Sequence, residues 1–445
     1  MTAPGIDRTV VARLHEAERA RFLRERPRSL ELRERSRHSM PRGVPMSWMA
    51  DLNAEGPVFV ERGAGAHFDD VDGHRYLDVN LADTSTFCGY APAPVVRAVS
   101  DVVARGTQFL LPGEDGIVVA EELARRFGVP KWQFTLSATT ANVEAMRLAR
   151  FATGRDVVVM FDGKYHGHSD EMQTELDGGV VRAEFPGLSG AERDVRLVPF
   201  NDEQALERTL SDRRVACVLA EPAMTNNQGV IMPQPGYHDA LRRLTQEAGT
   251  LLVLDETHTQ ICGPGGLIGQ WSLNPDIVTI GKSIAGGVPI GAYGMTDELA
   301  ERFATPGWGA TGGTLFGNAL SMAAARAALT EVLTDDAYVR TARLGARLAD
   351  GIDAVAASAG LPWKAHRLFA RSGYCFTGTA PRDASEGQAD LDRPLWALLR
   401  VHTANRGVWE AIEGAGPALG VAAVDADVDA YLVALGELVG DLTAG

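Results

Sequence analysis

Two short apolar runs between residues 251 and 292, each ending at a charged side chain, constrain the fold more than any other feature of the sequence. The first run, 251–254, is followed directly by the acid pair Asp255 and Glu256. The second run, 276–280, leads into Lys282 and then into small residues. Apolar runs of this length, bounded by turn residues, are typical of strands buried in a parallel sheet. Because ligands collect at the carboxyl ends of such strands, the pattern predicts an acid and a lysine at one edge of a cofactor site.

An acid and an amine at neighbouring strand ends are the two groups that pyridoxal phosphate requires. A lysine forms a Schiff base with the aldehyde of this cofactor. A carboxylate keeps the pyridine nitrogen protonated, so that the ring can accept electrons. The sequence therefore predicts a pyridoxal phosphate site in which Lys282 holds the cofactor and Asp255 binds its ring nitrogen.

The same stretch resembles the class III (fold type I) aminotransferases, in particular their glutamate-1-semialdehyde aminomutase branch, and further motifs agree in order from about Gly43 to the C-terminus. The resemblance implies an α/β fold type I transferase, with a mostly parallel central sheet, helices on both faces and a smaller α+β domain. The expected divisions are a charged helical segment at 1–40, the N-terminal part of the small domain at 41–90, a large cofactor-binding domain at 91–324 and a C-terminal small domain at 325–445. Residues 383–392 are expected to form a loop.

A turn of small residues, Ser137, Ala138 and Thr139, comes directly before a helical pattern. Backbone N–H groups at a helix start bind phosphate, although an ordinary helix start capped by Ser or Thr has the same appearance. In the resembled family this turn holds the cofactor phosphate, with Gly more usual at the position of Ala138. Thr314 matches a threonine that reaches the phosphate bound in the neighbouring subunit, which implies a homodimer with shared active sites.

The resemblance also implies which residues surround the cofactor ring. Tyr165 matches the residue that covers one ring face, and His166 follows in the same motif. Thr257 is expected at the other face and Asn226 near the phenolic oxygen, with a plain turn asparagine as the alternative interpretation of Asn226. His166 and His168 could also form a polar loop or a metal pair. Since no third ligand has a suitable spacing, no metal site is expected.

The segment expected to bind the substrate departs from the aminomutase branch. The branch carries an arginine that grips the substrate carboxylate, whereas residues 43–49, GVPMSWM, contain none. Trp48 and Met49 offer apolar surface instead, and His258 stands in a run that also differs from that of the family. We therefore expect an aminotransferase that moves an amino group between an amine or amino acid donor and a carbonyl acceptor through Lys282, with apolar or aromatic amines, or β- or D-amino acids, as substrates.

Several alternatives stay open. An aminomutase, which is an isomerase, uses the same residues without a second carbonyl substrate. A decarboxylase or epimerase needs a further group near the substrate carbon, which the sequence does not identify. A non-catalytic binding protein on this fold has no use for both Asp255 and Lys282. Arg367, Arg371 and Arg406 are either carboxylate clamps or members of structural ion pairs.

Charge and hydropathy narrow the expected partners and location. The chain has 43 basic and 58 acidic residues, and its net charge of −15 disfavours binding to nucleic acid or to a membrane surface. No apolar run approaches the length of a membrane span and no signal sequence is evident, so a cytoplasmic protein is expected. GKS at 281–283 imitates a nucleotide-binding lysine loop, but Asp276 stands where such a loop needs a glycine.

Overall fold

The computed structural model describes residues 3, 5–52, 55–188, 190–225, 229–305, 312–412, 414 and 416–444. The helices are α1 Arg8–Arg24, α2 Pro27–Ser36, α3 Trp48–Leu52, α4 Ala93–Arg105, α5 Glu114–Phe127, α6 Ala138–Thr153, α7 Glu203–Leu210, α8 Tyr237–Ala248, α9 Gly266–Trp271, α10 Asp297–Phe303, α11 Ala319–Ala327, α12 Asp335–Ser358, α13 Ala384–Asp390, α14 Arg393–Ala404 and α15 Asp425–Thr443. The strands are β1 Val60–Ala64, β2 His67–Asp70, β3 Arg75–Asp78, β4 Lys131–Thr135, β5 Val157–Phe161, β6 Thr174–Asp177, β7 Val180–Ala183, β8 Val195–Val198, β9 Val215–Ala220, β10 Leu251–Asp255, β11 Ile277–Gly281, β12 Gly291–Met295, β13 Lys364–Leu368, β14 Arg371–Cys375 and β15 Val408–Trp409. No helix in these ranges is both long and apolar enough to cross a bilayer.

The chain forms two compact units. Unit 1 comprises Met1–Pro92, Arg340–Ala380 and Gln388–Gly445, and unit 2 comprises Ala93–Val339 and Pro381–Gly387. The chain passes from unit 1 to unit 2 after residue 92, close to the predicted division at 90/91. It returns to unit 1 after residue 339, which is 15 residues beyond the predicted division at 324/325. The stretch at 383–392, expected to be a loop, contains helix α13. Its N-terminal turn is closed by Asp383, whose Oδ1 accepts from the backbone N–H of Glu386 (2.9 Å).

Unit 2 is built on a sheet whose described strands follow the order β4-β12-β11-β10-β9-β5-β8. Strand β12 is antiparallel to both of its neighbours, and the other pairs are parallel. Every residue of β5, β9 and β11 is buried, as expected for apolar strands covered on both faces. The predicted α/β class with a mostly parallel central sheet is confirmed.

Helix α6 fixes one face of this sheet and brings its own N-terminus to the strand ends. Ser137 caps the helix by accepting from the backbone N–H of Thr140 (3.2 Å), and Gly154 ends it with a left-handed φ of 66°. The buried side of α6 packs with the strands in the main core of unit 2, which includes Ala145, Leu148 and Val253. The helix start is thereby held beside the carboxyl ends of the sheet.

Unit 1 combines a small sheet with long helices. The sheet follows the order β1-β2-β3-β15, and β13 and β14 form a separate hairpin. Helices α1 and α2 are separated near Pro27, which occupies the first position of α2, where a missing N–H costs no hydrogen bond. An aromatic cluster of Trp363, Tyr374, Phe376 and Trp396 lies in the core of this unit.

Candidate active site

Asp255 and Lys282 follow two neighbouring parallel strands. Asp255 ends β10 in register with Thr279 of β11, and Lys282 comes directly after the last residue of β11. Because the strands are parallel, both residues lie at the same edge of the sheet. Lys282 has a φ of 55°, in the left-handed region that non-glycine residues rarely adopt. Such strain persists where the surrounding structure imposes it, and it concentrates at functional sites.

Asp255 is a buried carboxylate held by three donors. Its side chain is 3% exposed, and Oδ2 accepts hydrogen bonds from Asn142 Nδ2 (2.7 Å) and His166 Nδ1 (2.9 Å). Oδ1 accepts from the backbone N–H of Thr257 (3.0 Å). Burial acts to raise the pKa of Asp255, but the bonds from His166, Thr257 and Asn142 outweigh it, so the pKa lies below the ordinary value. An ionised carboxylate at this place can hold a protonated ring nitrogen.

Asn142 connects this carboxylate to the rest of the site. Its Nδ2 also donates to the backbone carbonyl of His166 (2.8 Å), and its Oδ1 accepts from Thr279 Oγ1 (2.5 Å). The residue lies on the buried side of α6, one turn after the capping residue Ser137. Sequence reasoning missed Asn142, and the one signal that could have found it is an amide among the apolar positions of that helix.

Lys282, His258 and Glu221 form a second polar group. Lys282 Nζ shares a hydrogen bond with His258 Nε2, and His258 Nδ1 lies 3.6 Å from Glu221 Oε2. His258 and Glu221 are each 4% exposed, while Lys282 is partly buried. His258, proposed from the sequence as a substrate residue, is thus in contact with the lysine, and Glu221 was not among the predicted residues.

The turn predicted to hold a phosphate lies at the N-terminus of α6. Ser137 is the capping residue, and Ala138 and Thr139 are the first two helical residues, whose N–H groups have no partner within a helix. Two glycines let the sheet approach this turn. A Cβ on Gly281 would lie 3.0 Å from Ala138 N, and one on Gly291 would lie 2.1 Å from Ser137 O. The donors and the helix dipole suit a phosphate group.

The residues predicted beside the ring lie in loops at the same edge. Tyr165 and His166 follow β5; Tyr165 is 37% exposed, whereas His166 is buried. Thr257 is buried, and its Oγ1 has no hydrogen-bond partner among the described residues. Gly167, at a φ of 113°, packs so closely on Thr139 that a Cβ there would lie 2.2 Å from Thr139 Oγ1. This contact joins the ring loop to the phosphate turn.

The remaining predicted residues have no observed contact with the residues at these strand ends. Asn226 lies outside the described residues. Thr314 is exposed in unit 2, and its carbonyl accepts from the side chain of Gln108. In unit 1, Trp48 is exposed on α3, and Met49 lines a cavity of about 350 Å³ together with Val44, Pro45, Phe59, Phe68 and Trp409.

The candidate arginine clamps of unit 1 take part in other contacts. Arg367 pairs with Asp350 and Asp353 (2.8 Å each), and Arg406 pairs with Glu18 (2.9 Å). No cluster of His, Cys, Asp or Glu in the described ranges is arranged to hold a metal ion.

The donor set at the strand ends fits pyridoxal phosphate. A buried ionised carboxylate, a primary amine and a helix N-terminus match the ring nitrogen, the aldehyde and the phosphate of that cofactor.

Comparison with known proteins gives a consistent picture. The family described as Aminotransferase class-III matches residues 49–361. A glutamate-1-semialdehyde 2,1-aminomutase from Anaeromyxobacter dehalogenans (strain 2CP-C) is 35% identical over 379 residues, 83% of this chain and 88% of the relative. The crystal structure of a glutamate-1-semialdehyde-aminomutase from Pseudomonas aeruginosa PAO1 is 38% identical, with a TM-score of 0.93 over 98% of this chain and 100% of the other. A variant of that protein was solved in complex with PMP. The β-phenylalanine aminotransferase from Variovorax paradoxus is 28% identical, with a TM-score of 0.88 over 97% of each chain.

Proposed function

The chain belongs to the class-III aminotransferase family, whose cofactor is pyridoxal 5′-phosphate, and on that premise we propose that it moves an amino group between carbons 2 and 1 of a single substrate, as an aminomutase of the glutamate-1-semialdehyde type. The observation that carries this proposal is the similarity to the P. aeruginosa aminomutase along 98% of the chain. The curated aminomutase from A. dehalogenans, similar along 83% of the chain, supports the same reaction.

Asp255 provides the charge that this chemistry needs. When bound, pyridoxal phosphate supplies an electron sink beside the carbon that carries the amino group. Asp255 holds the proton on the ring nitrogen, because its pKa is lowered by the bonds from His166, Thr257 and Asn142, which outweigh the effect of burial. These bonds also fix the direction of the carboxylate, so the interaction requires little rearrangement during the reaction.

Lys282 Nζ is the atom that attaches the cofactor and moves the proton. As a free amine it would remove and return the proton at the substrate carbon that carries the amino group, which is general acid–base catalysis by a group already in the site. Its position directly after β11 places Nζ at the edge where Asp255 ends β10. The strained φ of Lys282 helps to fix that position.

The loops around Asp255 and Lys282 would bind and orient the cofactor. Ser137, Ala138 and Thr139 bind the phosphate through the N-terminus of α6. Tyr165 and Thr257 would cover the two faces of the ring when the cofactor is bound. Because the two loops are joined at Gly167 and Thr139, the ring and the phosphate are positioned together.

The test uses protein loaded with PMP and supplied with glutamate 1-semialdehyde alone, without any other donor or acceptor. We expect an isomer of unchanged mass, with the amino group moved from carbon 2 to carbon 1, detected by NMR over many turnovers. Lys282→Ala should still bind PMP but make no isomer, whereas Lys131→Ala, at the exposed start of β4, serves as the lysine control. An active Lys282→Ala variant would remove the assigned role of this lysine.

A second candidate function is amino transfer between two substrates, and the substrate segment favours it. Residues 43–49 contain no arginine, and the adjacent Arg42 is exposed and bound to Asp51 (3.1 Å). Met49 lines a cavity in the same unit whose lining is mostly apolar but includes Arg33 and Arg42. A panel of amine and amino acid donors would distinguish the two functions by absorbance. Conversion of the cofactor by one donor, with release of a carbonyl product and no isomer from the semialdehyde, would establish the aminotransferase.

The homodimer with shared active sites is part of the proposal. Three neighbouring apolar side chains of unit 2 are strongly exposed: Phe109 at 56%, Leu110 at 71% and Leu111 at 75%. Gln108 fastens this run to the Thr314 segment, because its side chain donates to the Thr314 carbonyl and accepts from the backbone N–H of Phe109 (2.8 Å). An apolar run of this exposure beside Thr314 suits contact with a second copy of the chain.

The dimer is tested by Leu110→Asp, which places a charge in the centre of the exposed run. We expect a shift from dimer to monomer in analytical ultracentrifugation, together with weaker cofactor binding, because Thr314 of the second copy no longer reaches the phosphate. Val433→Asp, at an exposed apolar position on α15 of unit 1, is the matched control. A Leu110→Asp protein that remains dimeric with unchanged cofactor affinity would contradict this surface as the shared interface.

A further inference from the structure

A histidine lies between the candidate cofactor lysine and a buried glutamate. His258 Nε2 shares a hydrogen bond with Lys282 Nζ, and on the opposite side of the ring Nδ1 lies 3.6 Å from Glu221 Oε2. The Nδ1–Oε2 separation is longer than a hydrogen bond, but it is close enough for strong attraction between opposite charges in a buried place. The three side chains thus form a line from an amine, through an imidazole, to a carboxylate.

A positive charge on His258 would stabilise the buried carboxylate of Glu221. Glu221 follows β9 and is 4% exposed. Its Oε2 accepts from the Thr225 backbone N–H (3.3 Å) and from Thr225 Oγ1 (2.9 Å), whereas Oε1 is buried without a hydrogen-bond partner in the part of the chain that the structure describes. A buried carboxylate that is not fully satisfied is costly unless a cation lies beside it. An imidazolium at His258 would provide that cation.

The other charged groups near His258 have their own partners. Asp255, three residues before it, accepts from His166 and Asn142. Glu256 is buried and accepts from the backbone N–H groups of residues 267 (3.1 Å) and 268 (2.5 Å) at the start of α9. These two carboxylates are therefore engaged elsewhere, and among the described residues Glu221 is the carboxylate whose contact with the imidazole is seen.

We propose that His258 is a catalytic base that takes the proton from the Lys282 ammonium, with Glu221 stabilising the resulting imidazolium. The proton leaves Nζ and arrives at Nε2, and the electron pair of the broken N–H bond stays on Nζ as the nucleophile. The reverse step returns the proton when Lys282 must act as an acid. The inference depends on the proposed role of Lys282 and goes beyond it, because it assigns the origin of the free amine to this chain's own Glu221–His258 pair.

The experiment follows covalent attachment to the cofactor-free protein, with pyridoxal 5′-phosphate as the probe, by stopped-flow absorbance between pH 6 and 9. Borohydride reduction and peptide mapping identify the attached lysine. In the wild-type protein we expect the rate to level off within this range. In His258→Gln, which keeps a hydrogen-bonding group but cannot hold the proton, we expect attachment at pH 7 to be about 100-fold slower, as is typical for loss of a general base. Its rate should keep rising with pH across this range, because hydroxide must then remove the proton that His258 no longer accepts.

Two further variants separate the proposed proton relay, from Lys282 to His258 beside Glu221, from a general effect on folding. Glu221→Gln should also slow attachment at pH 7, by about tenfold, since it removes the charge that stabilises the imidazolium. His238→Gln is the histidine control: His238 is partly buried and bonds the Pro222 carbonyl (2.8 Å), beside Glu221, without a described contact to Lys282.

The outcomes decide between the two proposals. Attachment at a lysine other than Lys282 in the wild-type protein would overturn both the assigned site and the relay. Attachment at Lys282 with superimposable profiles for wild type and folded His258→Gln would overturn the relay alone. If His258→Gln does not fold, an unchanged Glu221→Gln profile has the same meaning, and a shifted one supports the relay.

Discussion

We expect the hydrogen bond from His166 to Asp255 to set the lowest pH at which the protein binds its cofactor. His166 Nδ1 donates to Asp255 Oδ2 over 2.9 Å, and both side chains are buried. The substitution His166→Leu keeps the bulk of the side chain and removes the donor. Asn142 and the Thr257 backbone N–H still hold the carboxylate, so the site should remain assembled.

The magnitude follows from the strength of a hydrogen bond to a charged group. Such a bond contributes about 1.5–3 kcal/mol, and 1.36 kcal/mol corresponds to one pKa unit. Because the folded-state pKa of Asp255 is lowered, its ionised form stabilises the protein above the ordinary aspartate pKa, and this stability is lost as pH falls through the folded-state pKa. Removing His166 raises that pKa. The pH at which cofactor affinity is lost on acidification should therefore rise by about one to two units.

The assay is titration of the cofactor-free protein with pyridoxal 5′-phosphate between pH 4.5 and 8, followed by absorbance and fluorescence. We expect His166→Leu to bind with near wild-type affinity at pH 8 and to lose affinity at a higher pH than the wild type as the pH is lowered. His168→Leu, two residues further along the same loop and exposed, is the control and should follow the wild-type curve. If His166→Leu loses affinity at the same pH as the wild type, the assignment of this bond as the support of the Asp255 charge is wrong.

Two further predictions concern buried groups in each unit. Burial raises the pKa of Glu410 to about 7 from 4.5, so its stabilising contribution is present below pH 4.5 and is lost as pH rises through 7. Glu410→Gln should therefore reduce the loss of unfolding free energy between pH 5 and 8 by about 3 kcal/mol, measured by urea denaturation; an unaltered pH dependence, equal to that of the exposed control Glu437→Gln, would refute it. Gly167→Ala should weaken cofactor binding at least about tenfold, because its Cβ would meet Thr139 Oγ1 at 2.2 Å. The control Gly187→Ala has a similar φ of 97° with no atom within 4 Å, so equal binding losses in both variants would mean that backbone strain alone is responsible.

The central pair of the site could be predicted from sequence because both members belong to the same local pattern. Asp255 and Lys282 each follow an apolar strand, and neighbouring parallel strands end at the same edge, so their proximity follows from strand order along the chain. The turn at Ser137 was predictable for a similar reason, since a capping serine before an apolar-periodic run marks a helix start.

The partners of these residues come from distant parts of the chain. Asn142 is 113 positions from Asp255, and His166 is 89 positions away. They meet because the sheet order places β10 beside β9 and β9 beside β5, while α6 packs across β9, β10 and β11. No local propensity encodes that order. The helix at 384–390 shows the same limit on a smaller scale, since a polar stretch that looks like a loop was ordered by a capping contact.

The sequence by itself predicted the fold class and the cofactor, and it placed Asp255 and Lys282 at neighbouring strand ends, because strand ends and helix starts carry their chemistry in short patterns. The tertiary structure decided which groups tune those residues. His166 lowers the pKa of Asp255, and Glu221 faces His258 behind Lys282, through contacts between strands that are remote in sequence. The physical reason is that charge stabilisation depends on distance and burial, and both are fixed only when the sheet assembles.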